Sequence, residues 1–185
     1  MKLSKRLLLA LTVFGLFQIQ TLHASEIYLH IPGVPGESTS AVYQNQIDVL
    51  SWGWQISRPA PDMSGGGGGG SPAFYPVTIQ KRVDIATPIL MMKTLTGEMI
   101  DGVKLNIYRP NSNGPQGAEY ISIEMNGVTI TSVETNSSAD SDSPVFESIT
   151  LVYRSICFTY RPMNADGTTG SPMETCWNLV TNTPE

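Results

Sequence analysis

The stretch Ile121-Ser122-Ile123-Glu124-Met125-Asn126-Gly127-Val128-Thr129-Ile130 decides the fold class. Its apolar residues stand at 121, 123 and 125 and again at 128 and 130, with polar residues between. Successive side chains of a strand point to opposite faces, so this spacing puts the apolar groups on one side of half-buried strands. Asn-Gly tolerates the backbone that tight hairpin turns require, which makes Asn126-Gly127 the strongest hairpin signal in the chain.

The same alternation recurs outward from there. Ile27, Leu29 and Ile31 alternate with Tyr28 and His30, and Val103, Leu105 and Ile107 with Lys104 and Asn106. Ile149, Leu151 and Tyr153 alternate with Thr150 and Val152, and Ile156, Phe158 and Tyr160 with Cys157 and Thr159. Many short strands separated by Gly, Pro, Asn and Asp predict an all-β sandwich or barrel. One helix interrupts them: Thr87 is placed to cap it, Pro88 suits its first position and Gly97 closes it. The run between is too apolar for a free surface helix and is expected to pack on the barrel. Residues 59–76 read as a projecting flexible loop around six consecutive glycines, Gly65, Gly66, Gly67, Gly68, Gly69 and Gly70. They lack the Lys-Ser/Thr and the helix start that a phosphate-binding loop needs. A second solvated loop covers 135–144, where Asn136-Ser137-Ser138 is treated as a chance sequon.

The N-terminal residues read as a targeting segment. Lys2, Lys5 and Arg6 precede an uncharged run of 11 residues, 7–17, and a polar stretch that ends in Leu22-His23-Ala24. This is the order of a secretory signal peptide, and the run is short of the roughly 20 residues that span a bilayer. The expected domains are a signal peptide at 1–24 and one folded domain at 25–185, in the periplasm or secreted, with no stable membrane anchor. Loss of 1–24 leaves 8 positive against 16 negative side chains, a formal charge of −8. Such a chain repels phosphate backbones, so nucleic acid is not an expected partner. The two cysteines, Cys157 and Cys176, fit one disulfide behind a signal peptide.

The order of motifs then resembles a known family. Gly36-Glu37-Ser38 comes first, followed by Ile47-Asp48-Val49-Leu50-Ser51-Trp52-Gly53-Trp54 and the glycine tract. Next is Lys81-Arg82-Val83-Asp84-Ile85-Ala86-Thr87-Pro88-Ile89-Leu90-Met91-Met92. Glu147-Ser148-Ile149-Thr150-Leu151, Tyr160-Arg161-Pro162, Asp166-Gly167 and Trp177-Asn178-Leu179 complete the series. Over residues 27–182 this resembles Hcp, the haemolysin-coregulated protein family of type VI secretion. Gly36, Glu37, Ser38, Asp84, Thr87, Pro88, Glu147 and Trp177 carry the resemblance. The resemblance implies a β-barrel of two antiparallel sheets flanked by one helix, and six copies in a ring with a central hole. It further implies rings that stack into the tube of the secretion machine, small effector proteins carried in the hole, and no catalysis. The glycine loop would reach towards the next ring. Tube-building members lack a cleavable signal and need no disulfide. The rival expectation is therefore an exported relative, a binding protein or effector that does not build the cytoplasmic tube.

No residue set points to catalysis, a metal or a cofactor. Glu37 and Ser38 have no histidine beside them by pattern and read as a turn or ring contact. Asp48, Asp84 and Glu147 lie in separate elements and read as hydrogen-bonded or solvated carboxylates, with Asp84 placed to cap the helix backbone. Trp52 and Trp54 read as core or subunit interface. Met91, Met92 and Met99 read as packing material. The chain is accordingly expected not to be an enzyme.

The cysteines also pair by register. If the strands around 156–160 and 173–179 form a hairpin with Ile156 opposite Trp177, then Ile156, Phe158, Tyr160, Met173, Trp177 and Leu179 share an apolar face. Ser155, Cys157, Thr159, Glu174, Cys176 and Asn178 share the polar one. Cys157 then stands directly opposite Cys176, within the distance a disulfide accepts. Two reduced cysteines acting as small apolar fillers are the alternative, and the polar face argues against it.

Overall fold

A computed structural model of the chain describes residues 26–60, 70–109, 118–137, 144–164 and 168–185. The expected signal peptide and the glycines Gly65 to Gly69 lie outside the described residues. Twelve strands and one helix follow in chain order. They are β1 (Glu26–His30), β2 (Ile47–Gly53), β3 (Ile56–Ser57), β4 (Ala73–Phe74), β5 (Val77–Arg82), α1 (Thr87–Thr96), β6 (Val103–Arg109), β7 (Ala118–Asn126), β8 (Thr129–Asn136), β9 (Phe146–Val152), β10 (Ser155–Tyr160), β11 (Met173–Asn178) and β12 (Thr183–Pro184).

The mainly-β fold with one helix is the expected one, but the main sheet is not closed into a barrel. Ten strands form a single antiparallel sheet in the order β12-β11-β10-β7-β6-β1-β2-β5-β9-β8, and β3 and β4 form a separate ribbon. Closure would require β8 to pair with β12. Strand β12 is two residues long and contains Pro184, which has no N–H to give. α1 packs instead against β8.

The sheet bends over one core. Strands β9 and β10 are far apart in it, yet only Tyr153 and Arg154 connect them. Likewise β7 and β8 are joined by Gly127 and Val128 alone. Both connections cross between two layers, and they brace each other, with Arg154 N–H donating to the Asn126 carbonyl at 2.9 Å. So Asn126-Gly127 does turn the chain, with Gly127 at φ 61°, but it does not make a hairpin. A competing partner takes its polar groups. Ile100 and Val128 exchange backbone hydrogen bonds of 2.8 and 2.7 Å, Gly102 N–H donates to Asn126 Oδ1, and Gly127 N–H donates to Asp101 Oδ1. Buried side chains from β1, β2, β5, β6, β7, β8, β9, β10 and α1 form one cluster between the layers. Trp54 closes it from the end of β2, stacked on Phe158 of β10 with ring centres 6.2 Å apart.

The helix differs from expectation at its start. Ala86 occupies the capping position without a side-chain cap, and Thr87 is already helical. Asp84 supplies the acceptor, its Oδ1 taking the Ala86 N–H at 2.9 Å. Gly97 ends the helix as expected, with φ 64° and its N–H on the Lys93 carbonyl. Leu90 is fully buried, but Met91, Met92, Leu95 and Met99 face outward. These methionines do not pack inside the chain.

Candidate functional site: a buried lysine cluster at the helix start

The apolar phase of β5 runs Val77, Ile79 and then Lys81, which is fully buried. Directly opposite Lys81 on β9 stands Glu147, also on the buried phase. Two charges in a core must be paired and hydrogen-bonded, or one of them neutralises. Lys81 Nζ lies 2.6 Å from Glu147 Oε1 and 2.6 Å from Asp84 Oδ1. It also donates to the Arg82 carbonyl at 2.7 Å and to Thr87 Oγ1 at 3.4 Å. The Thr87 hydroxyl donates to Glu147 Oε1 at 2.9 Å and accepts the Asp84 N–H at 3.2 Å. One lysine thus holds β5, the turn before α1, the first residue of α1 and β9.

Glycine-led packing extends the cluster to a second segment. At Gly36 an added Cβ would lie 2.3 Å from the Gln46 carbonyl oxygen, so no larger residue fits. Gly36 and Ser38 donate their N–H groups to the carbonyls of Asn45 and Gln46, and Glu37 Oε1 accepts the Ile85 N–H at 3.2 Å. Of the eight residues that carried the resemblance, Asp84, Thr87, Pro88 and Glu147 lie at the start of α1 and Glu37 reaches it through Ile85, while Gly36 and Ser38 flank Glu37 and bond to the 45–46 segment. Trp177 does not join them. It lies on β11, stacked on Phe74 of the β3–β4 ribbon with ring centres 6.0 Å apart.

This arrangement fastens four segments to one another. The ammonium has four oxygens around it, and among the described residues the second carboxylate oxygen of Glu147, Oε2, is buried without a hydrogen-bond partner. Asp48 stands across from Tyr28 on the exposed face of β2 and shares the lining of one cavity with Glu37 and Asp84, while Glu147 is buried on β9. His30 is exposed at the end of β1, opposite Lys104. Trp54 donates its indole N–H to the Tyr153 hydroxyl at 2.6 Å and packs on the core, as does Trp52. Lys81 was the residue without an assigned role in the sequence. A cation in the apolar phase of an alternating strand was its signal.

Two further constructions lie outside the cluster. Tyr43 stacks on Tyr28 at 4.8 Å, meets Tyr108 edge-on at 5.2 Å and donates to Glu119, which pairs with Arg161. Burial pushes the Tyr28 phenol up to about 12, and burial also raises Tyr43, Tyr108 and Tyr153. At the C-terminal side, β10 and β11 pair in the expected register, Ile156 with Trp177 and Cys157 with Cys176. A disulfide joins the cysteines, whose Cα atoms are 4.0 Å apart. The apolar face of this hairpin is only half used. Ile156 is buried, but Tyr160 and Met173 at its far end are exposed, because the core stops short of them.

Comparison with known proteins bears on the fold and the family. Residues 28–160 match the family described as type VI secretion system effector, Hcp. The chain is 33% identical over 161 residues to protein hcp1 of Pseudomonas aeruginosa, covering 86% of this chain and 98% of that one. A solved type six secretion system protein superposes with a TM-score of 0.81 at 22% identity, over 88% of this chain and all of that one. Hcp1 from Salmonella typhimurium does so at 0.69 and 20%, over the same shares of the two chains. The solved structures share the fold, and the family match over most of the chain together with the identity to hcp1 shows the family: the chain belongs to the Hcp family of type VI secretion system effectors.

Proposed function

We propose that this chain is a non-enzymatic assembly protein that is exported and forms rings, most simply of six copies, which stack and carry small effector proteins. The observation that carries this reading is the outer stripe of α1. Met91, Met92 and Leu95 form an apolar band on a helix whose Leu90 is already in the core, Met99 is exposed just past its end, and Leu95 is 82% exposed. Bands of this kind on a soluble protein mark interaction sites. The family relationship points to further copies of the chain as the first partner, with secretion-machine proteins next. Light scattering on the oxidised chain tests it. The reading expects a mass of six copies, and monomer alone at high concentration contradicts it.

A second reading has its own support. The Cys157–Cys176 bond requires an oxidising compartment, and the signal-like residues 1–24 would deliver the chain there. On this reading the protein works in the periplasm or outside the cell as a ring or binding protein without building a cytoplasmic tube. Fractionation with intact mass tests that delivery. Mature chain starting at Ser25 in the periplasm or medium favours export, and unprocessed chain in the cytoplasm contradicts it.

A further inference from the structure

We propose that the Cys157–Cys176 disulfide is a redox-controlled clamp that fixes β11 and, through Trp177, the position of the β3–β4 ribbon. Strand β11 contributes no side chain to the buried core, and Met173, Glu174 and Thr175 are exposed. Its neighbour on the outer side, β12, is only two residues long. Leu179, just past the end of β11, ties it to the Arg154 carbonyl at 2.8 Å, and along its length β11 is held by the ladder to β10, the short ladder to β12, the disulfide, the Thr159–Glu174 hydrogen bond of 2.8 Å and the stack of Trp177 on Phe74. Elements with so little burial open locally, well below the free energy of global unfolding.

The disulfide and the stack are adjacent in sequence, at Cys176 and Trp177. The ribbon beyond the stack is short, two residue pairs, Ile56 with Phe74 and Ser57 with Ala73. Its root is tied separately, by the Tyr153 hydroxyl donating to the Tyr75 carbonyl at 3.0 Å. Freeing β11 therefore removes support from the ribbon beyond its root, and leaves β10 as an unpaired edge open to another strand. The chemistry is a dithiol exchange. The attacking thiolate forms a mixed disulfide with one cysteine and expels the other, and the second thiol of the reductant then releases the first. The cysteines gain two electrons and two protons, and the dithiol is oxidised to its own disulfide.

The bond spans a sequence separation of 19. A closed loop of that size restrains the open chain enough for opening of β11 to become about 100-fold more frequent on its loss. Hydrogen exchange read by mass spectrometry on the full chain, oxidised and then reduced in place with dithiothreitol, tests the clamp. Exchange should rise about 100-fold at 173–178 and rise also at 56–57 and 73–74, while 77–82 and 146–152 stay unchanged. Trp177→Leu with the disulfide intact should raise exchange at 56–57 and 73–74 but not at 155–160. Reduction that leaves 173–178 unchanged refutes the clamp. Reduction that loosens 173–178 without touching the ribbon refutes the coupling through Trp177, as does a Trp177→Leu chain with an unaltered ribbon.

Discussion

Replacing Lys81 by methionine removes the one cation that two buried carboxylates share. The Glu147 side chain is 0% exposed and gains no water when the ammonium goes, while that of Asp84, 10% exposed, keeps only a small contact with solvent. Thr87 still donates one hydrogen bond to Glu147, and this compensates only in part. Breaking a buried pair by removing one partner costs about 3–5 kcal/mol, because an uncompensated charge stays behind. For a domain of this size each kcal/mol lowers the melting temperature by about 2–4 °C, so the variant should melt roughly 6–20 °C lower. Urea unfolding followed by circular dichroism measures the free energy, and calorimetry the melting point. The double variant Lys81→Met, Glu147→Leu sharpens the test. With the facing charge also gone it should recover at least half of the loss, because a well-packed apolar pair is often as stable as the ion pair it replaces. A single variant within 1 kcal/mol of the parent would refute the reasoning, and so would a double variant no more stable than the single.

Three other outcomes follow from the same structure. Gly36→Ala should destabilise the fold by about 2 kcal/mol or more in urea unfolding, because its Cβ would meet the Gln46 carbonyl 2.3 Å away. Alkaline pH should weaken the fold: the tyrosines ionise near 10 when unfolded, but Tyr28 holds its proton to about 12, and Tyr43, Tyr108 and Tyr153 are raised as well. Since the raised groups favour the neutral folded form, their contribution is whole below pH 10 and is lost as pH climbs through 12, which urea midpoints against pH and tyrosinate absorbance will show. Leu95→Glu should leave the unfolding free energy within about 0.5 kcal/mol, as befits an exposed site. It should nonetheless abolish self-association in light scattering.

The strands read from the sequence were legible because alternation reports which face of a strand is buried, and β6 and β9 alternate almost without fault, whereas β5 was not read as a strand although its burial alternates too. The β10–β11 register was legible for a related reason, since a slip of one residue would have mixed its apolar and polar sets. The Asn126-Gly127 turn was misjudged because the same local signal serves a crossing between layers, where the Ile100–Gly102 segment takes the hydrogen bonds a hairpin partner would have taken. Barrel closure failed at β12, whose two residues include a proline that no alternation rule weighs. Asp84, Thr87 and Glu147 were singled out through the resemblance, but their common partner was not. They are separated by up to 63 positions in sequence, and only the pairing of β5 with β9 brings Glu147 to Lys81. Outward methionines on α1 look in sequence like core residues, since composition alone does not say which side of an apolar helix is covered.

The most direct test of the central claim is native mass spectrometry of the protein recovered from the periplasm and culture medium of its own host. The account predicts assemblies of six copies, each beginning at Ser25 and two hydrogens lighter than the reduced formula. Monomers that retain Met1 and carry two free thiols would contradict it.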